Sequence, residues 1–127
     1  MRVLCCGDRE WKNQDRIRYV LSSLRNIEVV IEGECRGADL LSRAVAEALH
    51  LPVLRFPADW DRYGKVAGPV RNQRMLDEGK PDLVVAFHNN LQESKGTRDM
   101  VNRARAASIK VMIVTEKFQL RLFGGNI

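Results

Sequence analysis

Cysteine and histidine are scarce in this chain of 127 residues, with three of the first and two of the second. The cysteine count is odd. Cys5 and Cys6 are neighbours on opposite faces of an expected strand, and Cys35 stands alone in a loop. No disulfide framework can be built from that set; the usage is reduced and points to the cytoplasm. With only His50 and His88 available, no metal-ligand spacing appears, and neither metal nor cofactor is expected. No apolar run approaches the roughly 20 residues of a membrane span, and the N-terminus enters a strand directly rather than a signal peptide. No membrane partner is expected. The GxGxxG fingerprint is also missing after the first apolar run, which argues against a standard NAD-type site.

What is present is ordinary in bulk: 45% hydrophobic and 29% charged residues, typical of a soluble globular protein. The length suits one domain over residues 1–127 with a core that needs no disulfides. The formal charge of +5 favours anionic partners, nucleotide or nucleic acid, without choosing between them. Much of the excess, such as Arg98, Arg103 and Arg105, reads as a solvated helix face.

Short apolar runs alternate with helical spacing. Strands are expected at Arg2–Cys6, Glu28–Glu32, Pro52–Phe56, Leu83–Phe87 and Lys110–Val114. Helices follow from Ile17, Val20, Leu21 and Leu24, and from Leu41, Val45, Ala48 and Leu49. Another is expected from Pro69, as first helical residue, to about Glu78, after a long loop from Pro57 to Gly68. A last one carries Met100, Val101, Ala104 and Ala107. Such alternation predicts an α/β fold, a single open parallel sheet with helices on both faces. The tail Lys117–Phe123, within a segment 115–127, alternates polar and apolar residues and reads as an added edge strand or an oligomer contact.

In a sheet of this kind ligands bind beyond the carboxyl ends of the strands, and the glycine-bearing loops fall on that edge. Lys95-Gly96-Thr97 lies between the fourth strand and its helix. Glycine lets a ligand approach the backbone, Thr97 is suited to cap the helix, and free N–H groups of the first turn point at a phosphate. Gly7-Asp8-Arg9 and Gly33 through Asp39, with Arg36 and Gly37, are two more such turns. Asp39 reads equally as a residue that suits the start of a helix. Asp59, Trp60 and Tyr63 precede Arg71, Asn72 and Arg74. The aromatic rings could stack a base, though Trp60 reads better as core. Arg71, expected in a first helical turn, opposes the dipole unless an anion joins it. On that reading Arg71→Ala weakens ligand binding and leaves the unliganded fold nearly unchanged.

The series Gly-Asp-Arg-x-Trp, Gly-x-x-Arg-Gly-Ala-Asp, Pro-Ala-Asp-Trp-x-x-Tyr-Gly, Ala-Gly-Pro-x-Arg-Asn-x-x-Met and Gly-Thr-x-x-Met resembles the YspA/YpsA-related branch of the SLOG superfamily. That superfamily joins the DNA-processing protein DprA (Smf) with the LOG phosphoribohydrolases. The resemblance covers roughly residues 1–114. It implies a Rossmann-like sheet and a site for nucleotides or nucleotide-derived signals; some members act as ligand sensors in bacterial or phage conflict systems. It also implies a homodimer or higher even oligomer. Arg71-Asn72-Gln73-Arg74-Met75 matches in part the Arg-Lys-x-x-Met motif of LOG enzymes and puts Arg71 on their functional arginine. Their Pro-Gly-Gly-x-Gly-Thr-x-x-Glu motif keeps Gly96 and Thr97 here, but Met100 replaces its catalytic glutamate. A thioether cannot act as acid or base.

The expected function is therefore binding of a nucleotide or nucleotide-derived molecule, as a sensor or sequestering module. The ligand contacts would be Gly7, Asp8, Arg9, Gly33, Arg36, Gly37, Asp39, Asp59, Tyr63, Arg71, Asn72, Arg74, Lys95, Gly96 and Thr97. A nucleotide-processing hydrolase, with Glu93, Asp39 or Asp59 as substitute carboxylate, is the first alternative. A DprA-like nucleic-acid binder is the second.

Overall fold

The computed structural model describes residues 1–116, so the expectation for Lys117–Phe123 lies outside the described residues. Five strands, β1 (Arg2–Gly7), β2 (Val29–Glu32), β3 (Val53–Arg55), β4 (Leu83–Phe87) and β5 (Lys110–Val114), form one sheet in the order β3-β2-β1-β4-β5. Every pairing is parallel. Helices α1 (Gln14–Ser23) and α2 (Ala38–Ala48) carry the chain outward from β1 to β3. Helix α4 (Ala67–Gly79) then returns it past β1 to β4, and α5 (Lys95–Ala106) leads on to β5. The direction of winding reverses between β1 and β4, and ligand crevices of doubly wound sheets open at that point.

The two-residue period of the strands builds a core on each face. Val3, Cys5, Val85 and Phe87 meet Ile17, Leu21 and Val45 of α1 and α2. Leu4, Cys6, Val84 and Ala86 meet Met75, Met100 and Val101 of α4 and α5. β2 and β4 are buried throughout, which explains their unbroken apolar runs.

Three local expectations change. The segment from Pro57 to Gly68 contains a short helix, α3 (Trp60–Tyr63), and a 3-10 turn at Gly64–Val66. Asp59 starts α3 by accepting a hydrogen bond from Arg62 N at 3.1 Å. α4 begins at Ala67, so Pro69 occupies the third helical position, where a missing N–H still costs nothing. Trp60, read as core, is 52% exposed.

Candidate functional site

At the carboxyl ends of β1 and β4 the structure opens a cavity of about 350 Å³. β1 and the residues after it supply Cys6, Gly7, Asp8 and Arg9; the start of α2 and its preceding loop supply Asp39 and Cys35. Arg71, Asn72 and Met75 come from α4, and His88 follows β4. Glu93, Ser94, Lys95, Gly96, Thr97 and Met100 close the ring. The lining thus combines Met75, Met100 and Cys6 with polar and charged groups.

Glycine at position 7 is what lets the walls meet. Its φ is +153°, and a Cβ there would overlap the Phe87 carbonyl. Gly37, at φ +78°, lies against the carbonyls of Asp8 and Arg9, and Ala38 N donates to Asp8 O at 3.0 Å. These contacts dock the start of α2 on the loop after β1.

Arg71 is 8% exposed and sits in the second turn of α4, not the first. Its Nη1 donates to Gly33 O at 2.5 Å and its Nε to Asn72 Oδ1 at 3.0 Å. Nη2 reaches Cys35 Sγ at 3.7 Å. The guanidinium is thereby oriented by the protein itself. Asn72 in turn donates to Gly96 O at 3.2 Å and Asp99 Oδ2 at 2.9 Å, tying α4 to the first turn of α5.

Ser94, rather than Thr97, caps α5: its Oγ accepts from Thr97 N at 3.1 Å. Lys95 and Gly96 therefore contribute first-turn N–H groups for which the helix has no carbonyl. A Cβ on Gly96 would meet nothing within 4 Å, so this turn faces open space.

Asp39 is 5% exposed and accepts from Cys35 N at 3.1 Å. Burial pushes its carboxyl up to about 6, against the opposing pull of that N–H and of Arg71. Burial also raises the Cys6 thiol well above its ordinary value, and the Cys5 thiol to about 12. Neither is a thiolate nucleophile at neutral pH.

The residues expected at the site divide plainly. Gly7, Asp8, Arg9, Asp39, Arg71, Asn72, Lys95, Gly96 and Thr97 line this cavity. Gly33 lies behind it, against Arg71, and Gly37 is packed under the β1 loop. Arg36 pairs with Glu10 at 2.8 Å on the exposed surface. Arg74 holds Glu78 through Nε at 2.9 Å and covers the Phe56 ring. Asp59 caps α3, and Tyr63 lies under Arg62. His88, not among the expected contacts, faces the cavity and is 7% exposed. Its place directly after a buried strand, on the edge that carries Asp8, was the available signal. Among the described residues no group of three or more His, Cys, Asp and Glu is placed to hold a metal ion.

A model of the YspA, cpYpsA-related SLOG family (YAcAr) matches residues 1–63. The Gene 61 protein of Mycobacterium phage D29 is 33% identical over 125 residues, covering 91% of this chain and 98% of the phage protein. The chain belongs to the YspA, cpYpsA-related SLOG family. The fold of this SLOG protein agrees with that of DNA processing protein A (DprA) from Streptococcus pneumoniae, at a TM-score of 0.72 and 15% identity. That likeness covers 88% of the SLOG chain and 49% of DprA, so the chain spans about half of the DprA length. At such identity the match speaks for the fold alone. No helix of the described residues is long and apolar enough to cross a membrane.

Proposed function

We propose that this SLOG protein, acting as one domain, binds a nucleotide or nucleotide-derived small molecule in the cavity at the switch point. A sensor or sequestering role in the cytoplasm follows. The observation that carries the reading is the cavity wall itself: Arg9, a pre-oriented Arg71, Lys95 and the open first turn of α5 face one space. Cations and helix N–H groups converging on one point are the means by which proteins hold phosphate. Its volume of about 350 Å³ falls in the range of small-molecule sites. By analogy with LOG pairing, the protein works as a homodimer or higher even oligomer.

Gly96→Val is the direct test. The open surroundings of Gly96 let the fold tolerate a branched side chain, which then stands where the phosphate must approach. Calorimetry against nucleoside monophosphates is expected to show at least about tenfold weaker binding, with circular dichroism unchanged. Undiminished binding removes the α5 turn from the site. Native mass spectrometry of protein purified from cells would identify a retained ligand by mass.

Asp39 and Glu93 keep a hydrolase as the second reading, because both carboxylates line the cavity. Met100, 1% exposed, occupies the position of the LOG glutamate and supplies no acid or base. Incubation with nucleoside monophosphates is expected to release no free base. Turnover on the order of 1 per second would favour the hydrolase. The DprA-like fold supports a third reading, nucleic-acid binding, marked by steep salt dependence in a gel-shift assay.

A further inference from the structure

The proposed nucleotide site has a feature that its phosphate-facing residues leave unused. Gly7 of β1 pairs with Phe87 of β4, so Asp8 and His88 leave the sheet side by side. Both are anchored by backbone: Asp8 N donates to Phe87 O at 2.9 Å and His88 N to Val114 O at 3.0 Å. His88 Nδ1 accepts from Asn90 N at 3.0 Å, which places the ring proton on Nε2. Asp8 Oδ1 accepts from Glu10 N at 2.9 Å, which turns Oδ2 toward His88. Nε2 and Oδ2 stand 4.0 Å apart, beyond hydrogen-bond reach of each other.

A donor and an acceptor held at that separation fit a group that is both. An oxygen about 2.8 Å from each makes an angle of roughly 90° between them, within the range a hydroxyl accepts. A phosphate oxygen is repelled by Asp8, an amine satisfies only Asp8, and a carbonyl satisfies only His88. We infer that Asp8 and His88 together hold a sugar hydroxyl, so that the ligand is a ribonucleotide-type molecule and not its deoxy counterpart. This rests on the nucleotide reading above: the phosphate sits at α5 and the sugar reaches back to the end of β1.

The experiment is calorimetry of the wild type against AMP, GMP, CMP and UMP and their 2′-deoxy and 3′-deoxy analogues. The best-bound ribonucleotide is expected to lose about tenfold or more in affinity when the engaged hydroxyl is removed, since the buried His88 donor and the partly exposed Asp8 acceptor both lose their shared partner. Asp8→Asn, which keeps the shape, and His88→Asn, whose Oδ1 still accepts from Asn90 N, are each expected to shrink that ratio to under about threefold. Circular dichroism of both variants checks that they fold. Equal affinity of the wild type for ribo and deoxy forms, or an undiminished ratio in both variants, overturns the inference while leaving the nucleotide reading in place. Absence of binding by all ribo and deoxy forms overturns the nucleotide reading and the inference with it.

Discussion

Arg71→Ala is expected to weaken the fold and the ligand site together. The side chain is nearly buried, and its removal strips partners from Gly33 O and Asn72 Oδ1. Each buried polar group left without a partner costs about 1–3 kcal/mol, and the vacated guanidinium leaves a cavity beside it. Asp39 also loses the stronger pull of Arg71 and keeps that of Arg9, so its carboxyl rises further above about 6. A stability loss of about 2–4 kcal/mol in urea denaturation is the expected result. Nucleotide affinity should fall by about 1.5–3 kcal/mol, the range of charge-assisted hydrogen bonds. Arg71→Lys keeps the charge but not the planar fork, and should recover only part of either loss. A urea midpoint unchanged in Arg71→Ala would show that the guanidinium frames nothing. The sequence alone suggested that outcome, because it presents Arg71 as a free ligand arginine. The contact with Gly33 across the sheet edge is what reverses it.

The second large effect is a dependence of stability on pH. Glu32 ends β2 with no exposed surface; its Oε1 accepts from Glu34 N at 2.7 Å, while Oε2 is buried without a hydrogen-bond partner. Burial, with repulsion from Asp39 and Glu34, pushes its carboxyl from 4.5 to about 7, despite the Glu34 N–H and Arg43. Asp39 moves in the same direction, from 3.8 to about 6. Between those limits the folded protein binds more protons than the unfolded chain, so stability falls as pH rises from about 4 to about 7. The protein is expected to resist urea better at pH 5 than at pH 8. Glu32→Gln retains the acceptor for Glu34 N and carries no charge. It should gain on the order of 1–3 kcal/mol at pH 8 and almost nothing below pH 5. A flat wild-type midpoint from pH 5 to pH 8, or no gain in Glu32→Gln, would show that the charge is accommodated inside.

Much of the fold could be read from the chain because strand and helix periods are local. Val29–Ile31 and Leu83–Phe87 are unbroken apolar runs, as strands covered on both faces must be. Their alternation with helices determines parallel pairing, because each crossover must return the chain to the same end of the sheet. The α5 turn was likewise visible from Gly96 and Thr97, though the cap is Ser94, three residues earlier, whose hydroxyl accepts from Thr97 N. The helix α3 was missed although Asp59 carries its start signal. Four residues are too few to show a helical period.

Strand order and side-chain direction belong to the tertiary structure. Only the sheet order sets β1 beside β4, which brings Asp8 near His88 and opens the cavity at the carboxyl ends of these strands. Only the packed helices decide that Arg71 points inward to Gly33 while Arg74, one turn on, lies outside over Phe56. The same packing turns Arg36 to the surface and buries Glu32 without a full set of partners. Sequence by itself determined the family motifs, the alternating elements and the edge on which the glycine turns gather. Which of those turns share one space depends on contacts between residues dozens of positions apart, and no local period records them.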